Sequence, residues 1–264
     1  MRLKITHKTS YSYDAPVTYG LQQVRLTPTN NTLQTVLNWT VAIEGGAEEL
    51  SFQDQYQNQT MLIQAEAGQS GVSFVASGEV ETNEKAGVLG KVYGRAPLWH
   101  FMQPTERTDP GKGIRKLAGI VKGGNALDNL HALSCEILDH VPYGKADTTT
   151  ATTAEEALIA GGGVCQDHAQ IFISAVRHAG IPARYVSGYL MMNDRIDQDA
   201  SHAWAEAHIG GLGWVGFDVS NRISPDERYV RLAVGCDSRD ASPIRGVRMG
   251  AGTESMIVTL QIQQ

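Results

Sequence analysis

Over the first third of the chain, apolar and polar residues alternate with a period of two. Leu3, Ile5 and His7 alternate with polar neighbours, Tyr11 and Tyr13 precede Pro16, and Val24 and Leu26 lead into Thr27-Pro28. Leu37, Trp39, Val41 and Ile43 keep the period before Glu44-Gly45-Gly46. Shorter runs follow at 60–63, 72–75 and 79–82, with Gly, Asn or Gln clusters between them. Alternation of this kind buries one face of a strand and wets the other. Several short strands with regular turn signals predict an antiparallel sandwich. The region gathers no cluster of His, Cys and carboxylate, so it reads as a scaffold or docking element.

The period changes after about Gly94. Pro97, Pro104 and Pro110 mark an irregular connection, and helical spacing then runs through 113–121 and 127–138. Thr153-Ala154-Glu155-Glu156 has the form of a capping box ahead of Ala157-Leu158-Ile159. Gly161-Gly162-Gly163 leads into a helix from Cys165 to about Ala179. On that helix Cys165, His168, Ala169, Phe172, Ala175, Val176 and Ala179 share one face. Gly180 ends it, and Ile181-Pro182 starts an extended segment. Strands are predicted at 183–190, 201–209, 214–219 and 255–262, with Gly210-Gly211-Leu212-Gly213 turning the middle pair into a hairpin. Helices followed by strands without repeated alternation indicate an α+β class. The expected division is a β-rich N-terminal domain over residues 1–95 and a domain of helices on an antiparallel sheet over 96–264.

Composition narrows the classes. The 264 residues are 42% hydrophobic and 19% charged, an ordinary globular balance. A net charge of −6 gives no electrostatic case for nucleic acid or an anionic membrane surface. No apolar run is long enough to span a bilayer, and the alternating first residues lack the apolar core of a signal peptide. Three cysteines, Cys135, Cys165 and Cys236, are too few for a disulfide scaffold. The expectation is a reduced, cytoplasmic protein that needs no cofactor and takes neither nucleic acid nor membrane as partner. Edge strands in the N-terminal region leave room for pairing into a homo-oligomer.

The chemistry concentrates at Gly161–His168. A thiol at a helix N-terminus meets unpaired N–H groups and the positive end of the helix dipole, which favour the thiolate. Such a nucleophile wants an imidazole to hold its proton and a polar group to fix the imidazole. In Ser201-His202-Ala203-Trp204-Ala205-Glu206-Ala207-His208, strand alternation sets His202, Trp204, Glu206 and His208 on one face. The alanines, on the other, suit close packing against a helix. Pairing about the glycine hairpin brings Asp218 close to the level of the His202–Trp204 end. Glu206 lies two side-chain rows away and ranks second as the orienting carboxylate. His168 reads as a buried, hydrogen-bonded histidine and Asp167 as a helix-dipole partner. Cys165, His168, His202 and Cys236 have no paired metal-ligand spacing, so no metal is expected. The glycine run lacks the Lys-Ser/Thr ending of a phosphate loop.

The stretches Gly163–Gln170 and Gly180–Leu190 closely resemble the transglutaminase-like superfamily of cysteine enzymes. Ser201-His-Ala-Trp-Ala-Glu206 and Gly213-Trp-Val-Gly-Phe-Asp-Val-Ser-Asn221 are similar to its His and Asp motifs, in the expected order. Tyr11-Ser-Tyr13 and Leu26-Thr-Pro28 resemble the β-rich N-terminal region of bacterial members, and 234–247 resembles their C-terminal signature, with Cys236 where a basic residue is expected. The resemblance implies a papain-like Cys–His–Asp triad of Cys165, His202 and Asp218, working through a thioester. It implies hydrolysis of amide or peptide bonds, with protein-glutamine transamidation as the alternative and a non-catalytic binding module as the third reading. It also implies a second oxyanion donor, for which Tyr143 is the first candidate. Gln166, Trp204 and Glu206 are the other candidates for supporting the site.

Overall fold

Residues 1–91, 94–144 and 148–264 are described by the structure, a computed structural model. The alternation of the first residues is realised along β1 (Arg2–Tyr13), where Leu3, Ile5, His7 and Thr9 are buried while Arg2, Lys4 and Lys8 are exposed. The N-terminal third continues through β2 (Tyr19–Thr27), β3 (Gln34–Glu44), β4 (Gly46–Gln53), β5 (Gln59–Ala65), β6 (Gly71–Thr82) and β7 (Val88–Gly90). Next come α1 (Lys112–Leu117), α2 (Ala126–His140), α3 (Ala154–Ala160) and α4 (Cys165–His178). The chain ends with β8 (Ala183–Leu190), β9 (Asp197–Gln198), β10 (His202–Ile209), β11 (Gly213–Phe217), β12 (Tyr229–Gly235), β13 (Ile244–Met249) and β14 (Glu254–Gln263).

The strands form three antiparallel sheets, ordered β3-β6-β1-β14-β9, β13-β2-β5-β4 and β12-β8-β10-β11-β7. The first two make the expected sandwich, sharing a core that includes Leu3, Ile5, Val24, Leu26, Ile63, Phe74 and Leu260. The third carries the helices. Ala203, Ala205 and Ala207 of β10 join Ala169, Phe172 and Val176 of α4 in one core, the close packing that small side chains permit. Phe172 stacks on Phe217 with ring centres 5.0 Å apart. The fold is α+β, with a β-sandwich beside helices on an antiparallel sheet. Among the described residues no helix is long and apolar enough to cross a membrane.

Chain order and spatial order part company around the division at residue 95. The last two strands return to the sandwich: Ile262 of β14 lies opposite Ile5, and Ile244 of β13 lies opposite Val24. In the other direction, β7 adds to the edge of the helix-bearing sheet beside Trp214. Each move gives a backbone partner to a strand edge that would otherwise be bare.

Candidate active site

The start of α4 is set by its approach. The Thr153 capping box begins α3, and Gly161, with φ of 68°, ends it in the left-handed conformation that glycine adopts without strain. Two residues later, Gly163 leaves space that a side chain would fill. A Cβ there would lie 2.9 Å from the Asp167 side chain. Asp167 folds back over this gap, accepting from Val164 N and from Thr148 Oγ1, each at 2.9 Å. It therefore caps the helix, in keeping with its expected place at the positive end of the dipole. The amides of the first turn have no partner within a helix, and Cys165 occupies its first position.

His202 opens β10. Its Nε2–H donates to Asp218 Oδ2 at 2.6 Å, which leaves the other ring nitrogen free for Cys165, whose thiol lines the same cleft. Burial works against a charge on His202, but Asp218 and the neighbouring Cys165 outweigh it and push its pKa up to about 10. Trp204 stacks on the imidazole at 6.3 Å between ring centres, and Tyr229 closes another side at 5.9 Å. Trp204 has room because residue 188, opposite His202, is glycine. A Cβ there would sit 2.6 Å from the Trp204 ring and 2.2 Å from Val230 O.

Asp218 is not part of a strand. β11 ends at Phe217, and Asp218 caps a short 3-10 turn over Val219–Asn221. It is fully buried, and its Oδ2 also accepts from the Tyr229 hydroxyl at 2.6 Å and from Asn221 Nδ2 at 2.7 Å. Burial raises the carboxyl pKa, yet the bonds from His202, Tyr229 and Asn221 prevail and hold it below the usual range. Sequence reasoning missed Tyr229 and Asn221. Asn221 carried a usable signal, three residues after a carboxylate at a strand end. Tyr229 carried none.

The other expected residues are placed as follows. Glu206 is committed elsewhere: its carboxylate accepts from Arg184 Nε at 2.6 Å and from Arg231 Nε at 2.9 Å. It therefore does not orient His202, because two guanidiniums farther along the sheet hold it. His168 is buried, donating from Nε2 to Val141 O at 2.7 Å and accepting from Ser220 Oγ at 2.8 Å. Burial lowers its pKa, as suits a neutral ring. Tyr143 stands 59% exposed beside Gly163 and edge-on to His168. Burial of its ring, then the neighbouring Cys165 and Asp218, raise its pKa. The Gln166 side chain reaches Thr149 O at 3.5 Å and borders the cleft. Cys236 lies apart from the cleft with its sulfur 3.3 Å from His100 Nε2, while Cys135 is exposed on α2.

Cys165 and His202 open onto a cleft of about 370 Å³. Tyr185 of β8 also lines it, a buried residue whose hydroxyl has no bonding partner among the described residues; burial pushes its pKa well up, and Cys165 adds to this. The opposite wall is built from Thr9 and Tyr11 of β1 and Met256 and Val258 of β14. The β-rich region thus contributes to the cleft as well as to the scaffold, because the return of β14 to β1 places residues of both strands in its lining. Among the described lining residues the charge-bearing types are His7, His202 and Asp199, with no lysine or arginine. Burial lowers the pKa of His7 to about 4, so it is neutral at ordinary pH.

Residues 116–219 match the transglutaminase-like superfamily, and residues 3–81 match the bacterial transglutaminase-like N-terminal region. An uncharacterized protein of Mycobacterium leprae is 27% identical over 278 residues, covering 99% of this chain and 98% of its own. One from Mycobacterium tuberculosis strain H37Rv is 28% identical over 293 residues, covering 99% and 91%. The fold is shared with the crystal structure of a candidate cysteine protease from Cytophaga hutchinsonii. That likeness has a TM-score of 0.79 and 22% identity, and covers all of this chain and 90% of that one.

Proposed function

Because the chain belongs to the transglutaminase-like superfamily, we propose that it is a cysteine-dependent acyl-transfer enzyme hydrolysing amide or peptide bonds. Cys165 is the nucleophile, His202 the general acid and base, and Asp218 the group that fixes His202. The observation that carries this reading is that Cys165 and His202 line one cleft while His202 is bonded to the buried Asp218 at 2.6 Å.

With the proton resting on His202, the Cys165 sulfur attacks the carbonyl carbon and forms a tetrahedral oxyanion. The Cys165 amide at the helix start meets that oxygen, with the helix dipole behind it. His202 passes its proton to the leaving amine and a thioester remains on Cys165. His202 then takes a proton from water, hydroxide adds to the thioester carbonyl, and collapse returns the thiol and a carboxylic acid. The largely apolar lining, with no lysine or arginine among the described residues, supports an uncharged segment of peptide or amide on the acyl side. A cytoplasmic setting belongs to the same proposal, supported by three cysteines that are all free thiols.

A library of peptides and small amides incubated with wild type and with Cys165→Ala, and analysed by mass spectrometry, tests the reading. Cleavage products from wild type alone are expected. Cleavage that survives in folded Cys165→Ala refutes it. Adding a labelled primary amine separates the acceptors, and amine incorporation faster than hydrolysis assigns transamidation instead.

A further inference from the structure

A second cavity, of about 360 Å³, lies on the face of the helix-bearing sheet turned away from α4. It shares no lining residue with the cleft at Cys165. His208 lines it, and His208 is six residues along β10 from His202, about 20 Å at the rise of a strand. Its volume falls within the range of small-molecule sites.

The charge lining this cavity is one-sided. Lys91, Arg184 and Arg231 contribute to its wall, and no Asp or Glu does among the described residues. This occurs in a chain whose net charge is −6. Glu206, behind the wall, is shared between Arg184 and Arg231, so one carboxylate answers two guanidiniums.

Arg184 is the telling residue. It is only 8% exposed, and its guanidinium lies 3.8 Å above the centre of the Trp214 ring, with Phe101 at 5.8 Å. Only its Nε is spent, on Glu206. Neither terminal nitrogen has a hydrogen-bond partner among the described residues, and Nη2 is wholly buried. Burial lowers its pKa to about 10, partly offset by Glu206, so it is a cation at neutral pH. An unpaired buried donor of a charged group costs free energy that a bound anion would recover. Trp214, Phe101 and Leu89 pack buried behind the guanidinium, and Leu98 and Pro97 supply the exposed apolar surface of the cavity.

We propose that this cavity is a binding site for a small carboxylate with an apolar or aromatic body, its head taken by Arg184 and its body by Leu98 and Pro97. The site is separate from the acyl-transfer cleft and does not depend on the reading of that cleft. Guanidinium recognises a planar carboxylate through paired N–H donors, and the Trp214 face beneath it holds the fork in place.

Calorimetric titration of the whole protein with benzoate, benzamide and acetate tests the proposal, with Trp fluorescence as a second readout. Benzoate should bind about tenfold or more tightly than benzamide, which lacks the charge, and than acetate, which lacks the body. Arg184→Lys keeps a cation for Glu206 and loses the fork, and should weaken benzoate about tenfold. Leu98, on the rim and exposed, offers a variant that leaves the buried ion pairs alone, and Leu98→Asp should also weaken benzoate. Cys165→Ala should bind benzoate as wild type does. Equal binding of benzoate and benzamide overturns the proposal, as does benzoate affinity unchanged in both Leu98→Asp and Arg184→Lys. If Arg184→Lys does not fold, the Leu98→Asp result decides.

Discussion

Replacing Asp218 with asparagine keeps the size of the side chain and removes its charge. In the fold, one carboxylate oxygen accepts from His202 Nε2 at 2.6 Å, the Tyr229 hydroxyl at 2.6 Å and Asn221 Nδ2 at 2.7 Å. The other accepts from Asn221 N at 3.3 Å. An amide has one oxygen and one NH₂, so at least one donor must meet another donor. Turned with NH₂ toward His202, it donates to Nε2 and drives the ring proton to the nitrogen facing Cys165, where the sulfur needs a base. Turned the other way, it sets NH₂ against the Asn221 amide. In either case the carboxylate charge that helps hold His202 at about 10 is withdrawn while its burial stays, so the pKa of the ring falls. Each hydrogen bond to a charged group is worth about 1.5–3 kcal/mol. Loss of the tautomer and of the imidazolium together predicts a fall in kcat/KM of about 10³–10⁴, equivalent to about 4–5 kcal/mol of transition-state stabilisation. The assay is kcat/KM against pH for wild type and Asp218→Asn, with circular dichroism to confirm folding. Tyr229→Phe removes one bond and leaves the charge, and should cost about tenfold or less. A folded Asp218→Asn enzyme within about threefold of wild type, with the same pH profile, refutes the reasoning.

Other consequences follow from the same geometry. Neutral His7 contributes stability that is complete above its unfolded value of 6.5 and is lost as pH falls toward about 4. Urea unfolding across that window should show a loss of roughly 3 kcal/mol that His7→Asn lacks. His202 behaves oppositely: its contribution is complete below 6.5 and is lost as pH rises toward about 10. Wild type should therefore lose more stability than Asp218→Asn over the alkaline range. Phe172 is fully buried against Phe217, so Phe172→Ala should cost about 3–5 kcal/mol in denaturant unfolding. If the free Tyr185 hydroxyl is the second donor to the oxyanion, Tyr185→Phe should lower kcat about 10²–10³-fold with KM and thermal midpoint unchanged. A loss found in Tyr143→Phe instead would give that role to Tyr143.

The parts of the site that lie close together in sequence were legible before the fold was known. Alternation in 201–209, with alanines on one side, indicated which face of β10 meets α4, and the glycine hairpin set the pairing that brings Asp218 to His202. The Thr153 capping box and the helix start at Cys165 are local signals and appear where expected. Periodicity states which face is buried but not what covers it. That is why Tyr229, whose hydroxyl reaches Asp218 from a strand on the far side of β8, was invisible. The same limit hid the return of β14 to β1, a pairing of residues more than 240 positions apart. With it went the contribution of Met256 and Val258 to the cleft. Glu206 illustrates a further limit: its place on the His202 face was read correctly, but its charge was already claimed by Arg184 and Arg231.

The central claim is that Cys165 carries the acyl group because His202 and Asp218 equip it to do so. Wild type and His202→Ala can be mixed with a slowly deacylating peptide ester, quenched in acid and mapped by mass spectrometry. The account predicts acyl mass on the peptide bearing Cys165 in wild type, little on those bearing exposed Cys135 or buried Cys236, and loss of the Cys165 adduct in His202→Ala. Equal acylation of Cys135 in wild type, or an undiminished adduct on Cys165 without His202, would contradict it.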